Sequence, residues 1–476
     1  MSIFRRPSRA AAAGDPIPFY ECGKTHLFYL SSPSGTTDYP ERVRTTWQHA
    51  ETSDFVNWEE LRPALEPGAE GAFDGGGIWT GSVVEKDETY YLFYTGHHVG
   101  AANPQTICLA TSSDLVHFSR HEDNPLVLPT PGFEAIDWRD PYVFYNDEEK
   151  CWWMLIAARL DAGPKWRRGC IVLATSQDLV RWTVEPEPFY TPSTTLCPEC
   201  PEMWKMDGRW YLIFSRFSED VGTVYRVAEK PRGPFKVPDN EALGGRRWYA
   251  AKSAPQADGT RVFFGWVHDF TLKDDRPRWL WGGDFTAPRV VKADASGRLS
   301  VKLHPAVEAL FAKPSPTSLN LRAVGGEAHS ALWEALPNTC LMRAGFTTSG
   351  NPAAFGLMLV GNGDLEGWFI TFDRTRGSVN LAREPRPLDD FWADLTARQS
   401  IYREVDGAIV AEAAYPTDAT RQSLMVLLDG EILEVYVNDA CALSHRIGRG
   451  LPVQPAMFVV DGDAEVTFAV ARTAST

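Results

Sequence analysis

The sequence contains no apolar run that approaches the ~20 residues of a membrane-spanning helix. Its basic beginning, Met1 to Arg9, is followed by alanines and not by the apolar segment of a secretion signal. Positive charge is in deficit, since 47 Lys and Arg against 62 Asp and Glu give a net charge of −15. An acidic surface repels phosphate backbones and anionic lipid, which disfavours nucleic acid and membranes as partners. We therefore expect a cytoplasmic protein that binds a small neutral ligand.

Cysteine is sparse, with eight residues scattered along the chain and mostly in apolar, strand-like surroundings. This distribution is typical of buried thiols in a reducing compartment. Cys197 and Cys200 have CxxC spacing, but no second Cys pair or His pair completes a zinc site. The sequence therefore predicts no metal site.

What the sequence does contain is a repeat. Ala50–Trp58, Ala110–Phe118 and Ala174–Trp182 share one pattern, with Asp at the fifth position and Val at the seventh, at spacings of 60 and 64 residues. Five short aromatic strands are interleaved with these segments at intervals of about 50 to 65 residues, a period that accommodates four strands and their turns. These strands are His26–Leu30, Tyr91–Tyr94, Trp152–Ile156, Trp210–Phe214 and Val262–Trp266. The sequence thus predicts an all-β chain with a five-bladed β-propeller over residues 1–312.

The composition changes after the last aromatic strand. Residues 313–318 form a Pro/Ser connector, and short alternating strands such as Gly367–Phe372 and Ile432–Val437 follow it. Alternation of this kind is typical of an antiparallel sandwich, which we expect over residues 319–476. The sandwich offers an apolar surface on which two copies of the chain could pair, so a homo-oligomer stays open.

Three acidic residues occupy matching places in three blades. Asp15, Asp140 and Glu199 each precede the aromatic strand of their blade by 11 or 12 residues. Because the innermost strands of a propeller converge on its axis, these carboxyls should share one cavity. Like charges at close range force their pKa values apart. Glycoside cleavage needs that separation, with one protonated acid and one ionised carboxylate.

Each acid taken alone has a structural alternative. Asp15 precedes Pro16 and could start a turn. Arg139 and Asp140 could form a structural ion pair. Glu199 could be a surface acid, with Glu202 as the functional residue. The matched spacing of the three acids favours a shared site.

Two motifs resemble glycoside hydrolase family 32, the family of invertases, inulinases and levanases. Trp138-Arg139-Asp140-Pro141 is similar to its Arg-Asp-Pro motif, and Glu199-Cys200-Pro201-Glu202 is similar to its Glu-Cys-Pro motif. The resemblance extends from Asp15 to near the C-terminus. It implies that Asp140 stabilises the transition state and that Glu199 is the general acid/base.

Other segments also resemble this family. Trp47–Ala50 is similar to a segment that walls the fructose pocket, Trp79–Ser82 to the family's Phe-Ser-Gly-Ser segment, and Leu433–Asp439 to a recurrent sandwich strand. The candidate substrate-binding residues are Arg139, Trp47, Trp79, Thr80 and Trp281. Each of the three tryptophans could instead be a structural residue of the hydrophobic core and not contact the substrate.

The first motif departs from the family. Where the family usually has Asn-Asp-Pro-Asn-Gly, this chain has Gly14-Asp15-Pro16-Ile17-Pro18. The family's Gln in the following strand is replaced as well, since Tyr29 is followed by Leu30. Asp15 keeps its place in the blade and is the expected nucleophile. We therefore expect an atypical member, for which the usual sucrose or inulin specificity stays open.

The resemblance implies a retaining hydrolase that needs no cofactor and releases fructose from sucrose, short fructo-oligosaccharides or related small fructosides. A fructosyltransferase or a difructose-anhydride-active enzyme on the same scaffold is the nearest alternative. Arabinosidases and xylosidases of a sister family share the propeller and generally act by inversion. The Glu-Cys-Pro motif and the sandwich strand of this chain argue against that family. From a different class, a catalytically inactive sugar-binding propeller is disfavoured because Asp15 and Glu199 are both present.

Overall fold

The computed structural model describes residues 3–218, 221–273, 276–361, 366–384, 409–414, 419–447 and 453–474. Nearly all regular structure in these ranges is β-strand. The helices there are α1 (Pro305–Glu308) and two 3-10 turns, Glu41–Val43 and Lys165–Arg167. None of these helices has the length and apolar character that crossing a bilayer requires. The predicted all-β fold is confirmed.

The N-terminal part is a five-bladed β-propeller of antiparallel sheets. The first strands of neighbouring blades contact one another in a closed ring, which places them around the propeller axis. Blade I comprises β1 (Ala13–Glu21), β2 (Lys24–Ser31), β3 (Thr46–Thr52) and β4 (Glu59–Glu60). Blade II comprises β5 (Gly77–Lys86), β6 (Thr89–His97), β7 (Gln105–Ser112) and β8 (Ser119–Arg120). Blade III comprises β9 (Phe133–Asn146), β10 (Cys151–Leu160), β11 (Gly169–Ser176) and β12 (Thr183–Val184).

The last two blades depart from the four-strand pattern. Blade IV has three strands in the described residues, β13 (Glu199–Met206), β14 (Arg209–Arg216) and β15 (Gly222–Ala228). Blade V comprises β16 (Trp248–Pro255), β17 (Arg261–Lys273), β18 (Arg276–Phe285), β19 (Arg289–Ala293) and β20 (Leu299–Leu303). β18 also pairs with β1, with Ala13 opposite Gly283, so blades V and I form one continuous sheet. The five predicted aromatic segments lie in β2, β6, β10, β14 and β17, the second strand of each blade.

A hydrophobic cluster fills each seam between neighbouring blades. The side chains come from both faces of every blade, because alternate residues of a strand point to opposite sides. Burial of these large apolar groups is the main favourable contribution to closing the ring. Representative members are Leu30, Trp47 and Ile78 between blades I and II; Leu109, Trp138 and Met154 between II and III; Trp153, Leu173 and Leu212 between III and IV; Tyr211, Trp248 and Phe263 between IV and V; and Leu27, Val262 and Trp266 between V and I.

The threefold sequence repeat forms the turn between the third and fourth strands of blades I to III. Its aspartates are Asp54, Asp114 and Asp178, and Oδ1 of each accepts the backbone N–H groups two and three residues later, at 2.7–3.0 Å. The residue after each aspartate has a φ between 61° and 70°. These hydrogen bonds favour the charged carboxylate and lower the pKa of Asp54 to about 2. The repeat therefore marks a capped turn and not a ligand site.

The C-terminal domain is a β-sandwich. Its strands are β21 (Thr317–His329), β22 (Thr339–Ser349), β23 (Ala354–Gly361), β24 (Gly367–Asp373), β25 (Ser378–Glu384), β26 (Ile409–Ala414), β27 (Arg421–Asp429), β28 (Ile432–Val437), β29 (Cys441–Arg446) and β30 (Val453–Arg472). β30 pairs with β23 through residues 453–460 and with β22 through residues 463–472, so it belongs to both layers. A large apolar core fills the space between the two layers. The domain boundary predicted at residues 313–318 stays a prediction.

A buried carboxylate joins the two domains. Glu434 of β28 is fully buried and accepts hydrogen bonds from the backbone N–H of Ala287 at 2.9 Å, from Nη2 of Arg289 at 3.2 Å and from the hydroxyl of Tyr436 at 2.8 Å. Arg5 also donates to it. These partners outweigh desolvation and lower the pKa of Glu434. The sandwich is thus held against blade V by a charge network as well as by apolar contacts.

Candidate active site

All five innermost strands are interrupted at the same height. The antiparallel register shifts beside Asp15 in β1, Thr80 in β5, Asp140 in β9, Cys200 in β13 and Ala250 in β16. Four of these residues have left-handed backbones, with φ between 45° and 60°; Thr80 is the exception. A bulge of this kind re-aims side chains and commonly lies beside a functional site. The ring of bulges therefore turns side chains from five blades toward the propeller axis.

The three acids are not equivalent in this register. Asp15 and Asp140 lie in the bulge itself, each followed by a proline. Glu199 lies one residue earlier, and Cys200 takes the bulge position of blade IV. Counting residues to the next strand missed this offset, because the turn between the first two strands is residues 147–150 in blade III but only 22–23 in blade I and 207–208 in blade IV. Glu199 therefore reaches the cavity from the strand position that Arg139 holds in blade III.

The side chains around the axis enclose a cavity of about 310 Å³. Asp15, Asp140 and Glu199 all line it, so the structure brings the three predicted acids together. The remaining lining residues are Leu30, Tyr39, Val43, Thr45, Trp79, Gln105, Ile136, Asp137, Arg139, Cys200, Tyr249 and Trp281. The cavity thus combines a charged floor with several apolar and aromatic side chains, a composition suited to a small polar ligand with apolar faces.

Each carboxyl has its own hydrogen-bond partners. Asp15 accepts a hydrogen bond from Nε1 of Trp266 at 3.1 Å. Asp140 accepts one from the backbone N–H of Cys200 at 2.8 Å. Glu199 accepts one from Nη2 of Arg139 at 2.8 Å and another from the hydroxyl of Tyr249. Different donors therefore fix the three carboxyls in different orientations.

Two buried cationic side chains, Arg139 and Lys252, interact electrostatically with this group of acids. Arg139 donates to Glu199 and Asp137, and its Nε lies 3.9 Å from Oδ2 of Asp140. Lys252 is 2% exposed and donates from Nζ to the carbonyl of Gly81 at 2.6 Å. Burial raises the pKa of Asp15 and of Asp140, and the charge of Lys252 opposes both rises. The acids thus have positive charge near them, but not enough to neutralise every carboxylate.

Burial raises the pKa of all three carboxyls, because the low-dielectric interior disfavours their charged forms. Repulsion from Asp140 and Glu199 raises the pKa of Asp15 further, well above its ordinary value. Repulsion from Asp140 likewise raises the pKa of Glu199, although Arg139 and Tyr249 oppose that shift. The cluster therefore holds a proton at a pH where isolated carboxyl groups have lost theirs, which is the condition for general acid chemistry.

Glu202, the alternative to Glu199 as the functional acid, lies away from the cavity. Glu202 is fully buried and takes hydrogen bonds from Ser253, at 2.9 Å from its N–H and 2.5 Å from its hydroxyl, and from Arg261 at 3.0 Å. It lies outside the cavity lining, so its contacts are structural. Glu199 is a lining residue with a partly exposed side chain.

The predicted substrate-binding residues divide into two groups. Arg139, Trp79 and Trp281 line the cavity. Trp47 and Thr80 are fully buried and lie outside that lining. Trp47 packs in the seam between blades I and II and donates from Nε1 to the carbonyl of Trp79 at 2.9 Å. It therefore contacts a wall of the cavity and not the cavity itself.

Some site residues are absent from the sequence-based prediction. Tyr249, Asp137, Gln105 and Lys252 contribute to the acid cluster or to the cavity lining. Tyr249 precedes the bulge of blade V by one residue, as Glu199 does in blade IV. Aligning the fifth blade with the fourth could have found it. Nothing in the sequence marks Asp137 or Gln105.

A histidine supports the Trp79 wall. His97 is 2% exposed, and its ring stacks on Trp79 with centroids 4.1 Å apart and an interplanar angle of 22°. The indole N–H of Trp79 donates to the carbonyl of Val43 at 2.8 Å, which fixes the other side of the ring. Burial lowers the pKa of His97, so it stacks as a neutral ring.

Trp281 reaches the cavity from the β17–β18 hairpin. Its carbonyl accepts a hydrogen bond from Nε of the buried Arg42 at 2.6 Å, and the ring centroids of its indole and that of Trp266 are 5.9 Å apart.

Within the described residues, no group of three or more His, Cys, Asp or Glu is arranged to hold a metal ion. All eight cysteines are free thiols, Cys197 and Cys200 included.

A five-bladed propeller with three carboxyl groups at its axis suits acid-catalysed glycoside cleavage, which needs one protonated acid and one ionised carboxylate. Comparison with family models agrees: residues 14–304 match the N-terminal domain of glycosyl hydrolases family 32, and residues 308–467 match the family's C-terminal domain. The chain belongs to glycosyl hydrolase family 32 and is a glycoside hydrolase.

Individual relatives are distant but cover most of the chain. A raffinose invertase of Escherichia coli is 27% identical over 98% of this chain and 93% of its own length. A levanase of Bacillus subtilis is 28% identical over 92% of this chain and 65% of its own. Among solved structures, fructan 1-exohydrolase IIa of Cichorium intybus covers the whole chain and 97% of its own, with a TM-score of 0.76 at 19% identity. That structural likeness concerns the fold.

Proposed function

We propose that this protein is a retaining β-fructosidase that releases fructose from sucrose, short fructo-oligosaccharides or related small fructosides. The observation that carries the proposal is the convergence of Asp15, Asp140 and Glu199 from three blades on one cavity of about 310 Å³. The relatives named invertase and levanase support fructosides as the substrate class. The size of the cavity favours small substrates over the interior of a polymer.

In the first step, a carboxylate oxygen of Asp15 attacks the anomeric carbon while Glu199 gives its proton to the departing glycosidic oxygen. The carbon–oxygen bond to the leaving group breaks, and a fructosyl ester forms on Asp15. The carboxylate of Asp140 stabilises the positive charge that develops on the sugar ring in the transition state. The backbone N–H of Cys200 holds this carboxylate in place. In the second step, Glu199 takes a proton from water, whose oxygen attacks the same carbon and releases Asp15 and fructose.

The proton has to lie on Glu199 and not on Asp15 when the substrate is attacked. Burial raises the pKa of both groups. The hydrogen bond from Trp266 and the charge of Lys252 favour the ionised form of Asp15. Activity should therefore rise with pH through an ionisation that lies above the usual range of a carboxyl group.

We also propose that the enzyme acts in the cytoplasm. Seven of its eight cysteines are buried free thiols, and Cys22 is an exposed one. Thiols persist in a reducing compartment, whereas secreted proteins commonly carry disulfides.

The test is sugar release by the purified protein from sucrose, 1-kestose, inulin, levan and difructose anhydrides, alongside Asp15→Ala, Glu199→Ala and Glu202→Gln. We expect fructose release that the first two variants abolish. Restoration of Asp15→Ala by azide or formate as an external nucleophile would separate lost chemistry from lost folding. Glu202→Gln tests whether that acid acts only through stability, seen as a lower melting temperature. Absence of release from every fructoside by the folded wild-type protein would overturn the proposal.

A further inference from the structure

The wall of the cavity beside Asp15 is apolar, and its residues are coupled. Gly14 and Leu30 are direct partners in the β1–β2 register. Leu30 and Trp281 both line the cavity, and Trp281 packs against the hydrophobic cluster to which Leu30 belongs. The three residues therefore belong to one wall of the cavity.

Trp281 takes the space that a side chain at residue 14 would fill. A Cβ atom added to Gly14 would lie 2.9 Å from Cζ2 and 3.1 Å from Cη2 of Trp281, closer than carbon atoms normally approach. The close packing extends along the strands, since a Cβ on Gly282 would lie 3.1 Å from that of Ala12. Small residues on β1 and β18 thus let the indole lie across the backbone next to Asp15.

We infer that Gly14, Leu30 and Trp281 form a specificity wall that selects a furanoside whose bound sugar unit carries hydrogen, and not a hydroxyl group, at the position facing this wall. This inference rests on the proposed function. A hydroxyl pressed against Leu30 and the indole loses its hydrogen bonds to water without gaining a partner. An apolar pocket rejects an added hydroxyl by about a hundredfold, whereas a pocket with polar partners for that hydroxyl prefers the hydroxylated sugar.

The first experiment compares sucrose with its 1-, 3-, 4- and 6-deoxyfructosyl analogues. For one analogue we expect kcat/KM of the wild-type enzyme to exceed that for sucrose by about tenfold to a hundredfold. Leu30→Gln should reduce that ratio by at least about tenfold, because its amide can pair with the hydroxyl of sucrose. Leu128→Gln, the same change at an exposed position, should leave the ratio unaltered. A preference for sucrose over every analogue, or a ratio unaffected by Leu30→Gln in a folded variant, would overturn the inference.

The second experiment tests the coupling between Gly14 and Trp281. Gly14→Ala alone should lower kcat/KM and the melting temperature, since the added methyl group displaces the indole. Gly14→Ala combined with Trp281→Ala should recover at least about tenfold of the kcat/KM lost in Gly14→Ala, which is the non-additivity expected of residues in contact. Strictly additive effects would overturn the coupling. If the wild-type enzyme cleaves no fructoside, the proposed function fails, while the melting temperatures still report whether these residues are coupled.

Discussion

Arg139 and Glu199 come from neighbouring blades and meet at the axis of the propeller, where Nη2 of the arginine donates to Oε1 of the glutamate at 2.8 Å. The same guanidinium has its Nε 3.9 Å from Oδ2 of Asp140. One guanidinium therefore interacts with both the proposed general acid and the proposed transition-state stabiliser. Its position determines how the charge of the acid cluster is distributed.

Arg139→Gln should lower kcat/KM by at least about a hundredfold, in the range found when a group that orders catalytic charges is removed. Because Arg139 favours ionised Glu199, its loss should raise the pKa of that carboxyl and move the alkaline limb of the kcat/KM profile to higher pH. The measurement is a pH–rate profile on sucrose. Arg322→Gln, at an exposed position of the sandwich, is the control. An alkaline limb that stays in place would contradict the role of Glu199 as general acid.

Lys252→Met should move the acidic limb of the same profile to higher pH. The charge of Lys252 favours ionised Asp15, so removing it raises the pKa of the nucleophile. The carbonyl of Gly81 also loses its donor, which should cost about 1–3 kcal/mol of stability. Lys236→Met, on the exposed outer side of blade IV, is the matched control. Loss of stability with an unmoved acidic limb would mean that Lys252 is structural only.

His97→Ala should raise KM by about two- to tenfold with little change in kcat, because an aromatic pair contributes about 0.5–1.5 kcal/mol and here orients a wall and not the reacting groups. His97→Phe should restore KM, since it keeps a ring on Trp79. His98→Ala controls for the neighbouring histidine. The values come from initial rates on sucrose. Failure of His97→Phe to rescue the alanine effect would point to the polar contacts of His97 instead.

Glu434→Gln should destabilise the contact between the two domains by about 3–5 kcal/mol, because it leaves buried Arg289 without its counter-charge, whereas Arg5 keeps its ion pair with Asp429. The folded-state pKa of Glu434 is lowered. Its contribution is therefore present above the unfolded value of about 4.3 and is lost as the pH falls through the folded value. Urea unfolding followed by tryptophan fluorescence at pH 7 and pH 3 measures both effects. The difference between wild type and variant should shrink at pH 3, and Glu465→Gln, at an exposed position, should show none at either pH.

The all-β class, the five aromatic second strands and the three acids could all be predicted from the order of residues alone. Periodicity suffices for these because a propeller repeats one unit, so the same part of each repeat lies near the axis. The Arg-Asp-Pro and Glu-Cys-Pro segments were recognised by their resemblance to motifs of the family. The aspartates of the threefold repeat were also visible, although their function as turn caps needed the hydrogen bonds to be seen.

Which other residues reach the cavity depends on contacts between strands that are distant in sequence. Trp47 and Trp79 look alike in sequence, yet Trp47 is buried in a seam and Trp79 forms a wall. The bulges also place Glu199 one residue out of register with Asp15 and Asp140, an offset that residue counting does not show. Likewise Gly14 and Trp281 are distant in sequence and meet because β18 pairs with β1. Contacts of this kind depend on how blade V pairs with blade I. Local sequence patterns do not predict them, because the paired residues are far apart in the chain.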